Sequence, residues 1–166
     1  ALASPRSTRA AIEAMPDGAV AVFAAEGCRD AGVLGDILAT RMAARGVAGL
    51  VTDGPVRDLA GVRQAGLPVW ASGAAAPPSI NALTFVNWQQ PVGCGGVAIL
   101  PDDLIVADGD GAVVLPAALA EDILAAAQDQ EALEEWIVSE VQRGKPLPGL
   151  YPPDEETLKR YRKQTD

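Results

Sequence analysis

The sequence predicts an α/β fold, and three observations carry that expectation. Between residues 18 and 72, apolar runs of strand length alternate with helix-like segments in the order strand, helix, strand, helix, strand. Residues 82–116 hold short apolar runs broken by turn residues. Residues 117–141 are rich in Ala, Glu and Leu, which favours one long helix. The alternation implies parallel strands joined by crossovers, and the later runs add antiparallel or mixed pairing. The expected architecture is a central mixed sheet flanked by helices.

Each element has a local reason. STRAAIEAM, residues 7–15, opens with Ser and Thr, either of which caps a helix. Asp17-Gly18 is a turn, and AVAVFAA after it is a continuous apolar run, hence a buried strand. EGCRDAGVLG (26–35) is a loop. DILATRMAARG (36–46) carries Ile37, Leu38, Met42 and Ala43 at helical spacing and stops at Gly46. VAGLVTDG (47–54) is a strand closed by an Asp-Gly turn, RDLAGVRQAG (57–66) a short helix, and PVWAS (68–72) a short strand. GAAAPPSI is an irregular loop. ALTFVNWQQPV (82–92), GGVAIL (95–100), DLIVAD (103–108) and GAVVLP (111–116) are strand-like. RGKPLPGLYPPDE (143–155) is an extended Pro-rich linker, and EETLKRYRK (155–163) a last helix. The expected organisation is one α/β domain over 1–143 and a Pro-rich tail over 144–166.

Composition narrows the chemistry. The 166 residues suffice for one domain with a real core, and 49% are hydrophobic but only 4% aromatic. Ala, Val, Leu and Ile must therefore fill the interior. The net charge of −9 argues against nucleic acid and anionic membrane as partners. Apolar runs are too short for a membrane span, and the start does not resemble a secretion signal. A chain beginning at Ala1 fits a trimmed product. Cys28 and Cys94 fit two reduced thiols in a cytoplasmic protein. There is no histidine, which removes Ser-His and Cys-His nucleophiles and His-ligated zinc. The lysines, Lys145, Lys159 and Lys163, all stand in the C-terminal tail, a poor place for a Schiff base. Carboxylates, arginine, backbone amides and a hard metal remain.

Those groups concentrate in one unit. Gly35-Asp36 and Arg57-Asp58 are separated by twenty residues, which is one helix plus one strand. Strand ends and helix starts lie on one side of a parallel sheet, where α/β proteins bind ligands. Asp36 at a helix start suits the helix dipole, and the amides of Ile37 and Leu38 would point out of that terminus as an anion site. Carboxylates with water suit Mg²⁺ or Mn²⁺, and a guanidinium suits a carboxylate-bearing substrate. The same residues also fit a helix cap and a solvated surface pair.

Elsewhere the plainer readings stand. ADGDGA (107–112) lacks the ligands of a Ca²⁺ loop and is a hairpin turn. GCGGVA precedes a strand and so is no dinucleotide fingerprint. Cys94 is small buried packing, and Trp70, Trp88 and Trp136 are core or subunit-contact residues.

The spaced pair, with RGVAGLVTDGPVRD, LPVWASG and VNWQQPVGCGGVAILPDDLIVADGDGAVVLP, resembles the signature of RraA-like proteins. That family includes metal-dependent 4-hydroxy-4-methyl-2-oxoglutarate / 4-carboxy-4-hydroxy-2-oxoadipate aldolases and is named after regulator of ribonuclease activity A. The resemblance implies a swivelling β/β/α domain, a homotrimer or hexamer with sites between subunits, a divalent ion (Mg²⁺ or Mn²⁺) and pyruvate chemistry. Carried over by position, Asp58 is the direct metal ligand and Asp36 orients water on the metal. Arg57 binds the pyruvyl group, and Gly35, Ile37 and Leu38 form the carboxylate pocket through their backbone. The implied reaction is cleavage of 4-hydroxy-2-oxo acids to pyruvate, with oxaloacetate decarboxylation beside it. The rival is a non-catalytic regulator that binds ribonuclease E. An acid from a neighbouring subunit is also implied, with Glu131, Glu134 and Glu135 as candidates. The resemblance implies two departures: the family's further N-terminal segment, expected before the helix at 7–15, is not in this sequence, and Gly61 replaces an acid often found three residues after the Arg-Asp pair. The tail resembles a sugar-acid-catabolism subgroup.

Overall fold

A computed structural model describes residues 7–165. Contacts within the chain cluster into two compact units, Ala1–Ala117 and Ala118–Asp166. This division falls before the long helix, and the boundary expected at 143/144 falls after it.

The first unit begins with α1 (Thr8–Ala14), capped by Ser7, whose Oγ accepts the Ala10 amide at 3.1 Å. β1 (Val20–Phe23), β2 (Gly49–Thr52) and β3 (Val69–Trp70) form a parallel sheet in that order. Val20 pairs with Gly49 and Leu50 with Val69. The crossovers are α2 (Asp36–Ala44) and α3 (Leu59–Gln64), which pack side by side. Gly46 ends α2 in the left-handed region at φ 76°, which L side chains rarely adopt, and a Cβ there would run into the Asp17 carboxylate.

The interior is small and aliphatic, as the scarcity of aromatics requires. Ile12, Ala39, Met42, Leu50, Val56 and Val62 are almost fully buried and form one cluster. At about 25 cal/mol per Å² of apolar surface removed from water, this cluster is the main source of the unit's stability. One bidentate pair of hydrogen bonds, from Arg41 to both Glu13 oxygens at 2.8 and 2.7 Å, ties α1 to α2 at the surface.

Later in this unit come two antiparallel hairpins, β4 (Val92–Cys94) with β5 (Val97–Ile99), and β6 (Leu104–Ala107) with β7 (Ala112–Leu115). The second pair turns through the ADGDGA segment, where Asp108 Oδ1 accepts the amides of Asp110 and Gly111, so a turn and no ion loop is built there. Residues 82–91 correct the expectation of a strand: only Val92 of ALTFVNWQQPV joins one. Asn87 Oδ1 captures the Trp88 amide, Gln89 sits at φ 52°, and Pro91 has no donor. These local bonds replace the ladder. Trp88 packs on Phe85 instead, with ring centroids 6.1 Å apart.

The second unit is α4 (Ala120–Gln142), preceded by a short 3-10 turn, and α5 (Glu155–Thr165). Trp136 on α4 contacts Tyr161 on α5 at 5.5 Å between centroids and donates Nε1–H to Gln164. Glu140 is buried and answered by Lys145 Nζ at 2.7 Å and Arg143 Nη1 at 2.9 Å. The stretch expected to be extended is a series of turns around buried Leu150. Among the described residues no helix is long and apolar enough to cross a membrane.

Candidate functional site

Two loops at the strand ends of the parallel sheet are laced together by hydrogen bonds from backbone amides. Asp53, just after β2, accepts the amides of Ala25 at 2.6 Å and Gly27 at 3.1 Å, both just after β1. Further along, Val33 N–H donates to Pro55 O at 2.8 Å and Arg57 N–H to Leu34 O at 2.9 Å. The lacing carries the N-terminus of α2 to the N-terminus of α3. It brings Gly35-Asp36 beside Arg57-Asp58, the meeting that the spacing of twenty residues predicted.

Side chains then interlock. Arg57 Nε lies 3.1 Å from Asp58 Oδ2, with the two side chains 37% and 45% exposed. The pair is open to a ligand yet not freely solvated. Behind it stands Gly35, the residue before α2, in extended backbone. A Cβ on Gly35 would fall 2.7 Å from Asp58 Oδ2 and 2.9 Å from Arg57 Nε. Glycine at 35 thus leaves the space in which the ion pair lies against the helix terminus. Asp58 caps α3 in the left-handed region, φ 54° and ψ 43°. Asp and Asn adopt that region more readily than most L residues.

Asp36 Oδ1 accepts the amide of Ile37 at 2.8 Å. The Ile37 amide, expected to face a substrate carboxylate, is therefore engaged by its neighbour in this structure. The Ile37 side chain is 76% exposed, whereas Leu38 packs on the core and presents only its backbone. The other face of Asp36 meets Gly61 in the middle of α3, where a Cβ would stand 2.6 Å from Asp36 Cβ.

Among the described residues no three His, Cys, Asp or Glu side chains gather as a metal cage. Asp36 and Asp58 are the carboxylates at the two helix starts, while Asp53 spends its oxygens on the Ala25 and Gly27 amides. Glu131, Glu134 and Glu135 stand exposed on α4 in the second unit, and Glu134 accepts Gln130 Nε2 at 2.7 Å. Cys94 is buried, and burial, with the nearby Asp53 charge, pushes its thiol pKa up, the reverse of a nucleophile's requirement.

Sequence reasoning missed two supports. Asp53 reads in the sequence only as a turn residue, and Gly61, which stands out there as the place of an absent acid, gives no sign of its fit against Asp36.

A family model described as RraA-like, Aldolase/RraA, matches residues 3–114. A protein of Halalkalibacterium halodurans with the provisional name 4-hydroxy-4-methyl-2-oxoglutarate aldolase is 35% identical over 127 residues, which are 76% of this chain and 60% of that protein. A protein of the same provisional name from Ectopseudomonas mendocina is 36% identical over 103 residues, 62% of this chain and 63% of the relative. The chain thus spans about 60% of the length of these curated relatives. Among solved structures, an uncharacterized protein from Pseudomonas syringae pv. tomato superposes with a TM-score of 0.79 at 32% identity, covering 84% of this chain and 70% of that one. Streptomyces coelicolor RraAS2, described as an unusual member of the RNase ES inhibitor RraA protein family, gives 0.73 at 41% identity, covering 77% and 65%.

Proposed function

The chain belongs to the RraA-like family, and from that premise we propose that it is a divalent-metal-dependent lyase that cleaves 4-hydroxy-2-oxo acids to pyruvate and decarboxylates oxaloacetate. The observation that carries this reading is the Arg57–Asp58 pair seated against Gly35 at the start of α2, with Asp36 next to it. A regulator needs no such built arrangement of opposed charges at a helix terminus.

The donor set suits Mg²⁺ or Mn²⁺. Asp58 Oδ1 and Asp36 Oδ2 make no hydrogen bond or ion pair among the described residues. Mg²⁺ is commonly held by one or two carboxylates with water completing the shell. In this reading Asp58 is the direct ligand, and a bound ion would polarise the 2-oxo group as a Lewis acid. Arg57 binds the pyruvyl end and places positive charge where enolate charge develops as the C3–C4 bond breaks. The first-turn amides of α2, Ile37 and Leu38, receive the substrate carboxylate, which requires Asp36 Oδ1 to yield the Ile37 amide. Asp36 Oδ2 then takes the C4 hydroxyl proton through a water, the task a histidine performs in chains that have one. Both reactions leave a pyruvate enolate, so one site serves both. An acid from a neighbouring copy completes the site, with Glu131, Glu134 and Glu135 the candidates, in a homotrimer or hexamer in the cytoplasm.

The test is pyruvate release from oxaloacetate and a panel of 4-hydroxy-2-oxo acids. EDTA should abolish it and added Mg²⁺ restore it. Full turnover in chelator defeats the metal role.

The second reading, a ribonuclease-binding regulator, is favoured by the likeness to RraAS2 at 41% identity. Capture of ribonuclease E by the purified chain, with no pyruvate from any acid in the panel, would establish it over the first.

A further inference from the structure

We propose that Gly61 is a positioning residue, which fixes where the Asp36 carboxylate stands by leaving the space of its own Cβ empty. Gly61 occupies the middle of α3, and its backbone is not in the left-handed region. Glycine is a poor helix former, and nothing in the local conformation calls for it. Space does. A Cβ at 61 would stand 2.6 Å from Asp36 Cβ, 3.1 Å from Cγ and 2.9 Å from Oδ2. Carbon atoms rest about 3.5–4.0 Å apart.

No rotamer relieves that clash, because the Asp36 Cβ is held by the backbone of α2. Relief requires the two helix starts to separate. The Arg57 N–H to Leu34 O bond and the fit of Gly35 behind Arg57 and Asp58 oppose such a movement. Gly35 and Gly61 are therefore reciprocal: each leaves room for the acid carried by the other's helix. A methyl group at 61 drives Asp36 away from Asp58 without removing either charge.

The packing half of this proposal stands alone, and the kinetic half rests on the lyase reading above. A thermal cycle tests the first. Gly61→Ala should lower Tm in the parent chain and raise it in an Asp36→Gly chain, which has no Cβ to strike. A rise in both backgrounds means that only helix propensity changed, and it overturns the proposal. If Gly61→Ala alone fails to fold while the double variant folds, the clash is established. For the second half, pyruvate release from oxaloacetate with Mg²⁺ is measured on folded Gly61→Ala. The kcat should fall about a hundredfold, the scale of an ångström-sized misplacement, while KM stays within about twofold. An unchanged kcat reduces Gly61 to packing and overturns the positioning role. A parent chain that yields no pyruvate removes the lyase reading, and the thermal cycle then decides the placement of Asp36 by itself.

Discussion

The parallel-sheet half of the first unit and its two hairpins use similar residues in opposite ways. In the parallel half, Met42, Leu50 and Val56 are sealed inside, and the charged groups sit at the rim. In the hairpins, Val97, Leu104, Val106 and Val113 are 45% to 61% exposed within a single chain. Val106 and Val113 face each other directly across β6 and β7. The first region seals its own interior; the second carries apolar side chains that stand exposed among the described residues. Such surface is what a self-association interface offers, in line with the oligomer proposed above. The lesson is that the parallel half closes its own interior and sets its charges at the rim, while the hairpins leave their apolar side chains exposed.

The largest expected effect lies at the rim. Arg57→Ala should lower pyruvate release by about 10²–10³-fold, the usual consequence of removing a donor to developing negative charge. A coupled pyruvate assay reads this, and near-parent turnover would leave the rim without a catalytic role. Next comes the sealed interior. Leu50→Ala should cost about 2–5 kcal/mol in urea unfolding, because a fully buried side chain leaves a cavity. The contrast sharpens at the hairpin: Val106→Thr with Val113→Thr should cost less than about 1 kcal/mol in the fold, the scale of one cross-strand pair. Yet it should shift sedimentation toward smaller species. A loss as large as that of Leu50→Ala would show the hairpin to be core, and the comparison would fail.

The smallest effect belongs to the surface tie between α1 and α2. Hydrogen bonding and charge from Arg41 hold the Glu13 pKa below its ordinary 4.5. The ionised form is thus favoured by folding. The contribution is present above pH 4.5 and fades as the pH falls through the lowered folded value. Exposed pairs contribute little, so Tm against pH should drop only slightly more steeply in the parent than in Glu13→Gln. A marked difference would promote this tie to a main support of the parallel half.

The parallel half was legible because its signals are local and agree. Ser7 caps where a cap was expected, Gly46 stops α2, and Asp-Gly closes β2. The meeting of Gly35-Asp36 with Arg57-Asp58 followed from topology, since one helix and one strand return the chain to the same edge. What escaped was set by contacts between distant atoms. The strand expected over 82–91 lost to an Asn87 side chain that took a ladder donor. The engagement of the Ile37 amide by Asp36 depends on one rotamer, which spacing does not encode. The value of Gly61 lies in what is missing at 61, and only the neighbouring coordinates of Asp36 reveal it.

The left-handed backbone at Asp58 also governs how this rim can be altered. A β-branched or bulky replacement there would strain the main chain. Any loss of turnover would then mix a bent hinge with a missing charge. Asparagine keeps both the shape and the tolerance for that conformation. A chemist who wants to silence the acid while leaving the scaffold at rest therefore has one clean exchange available, and libraries randomised at this position should return mainly Asp, Asn and Gly among folded clones.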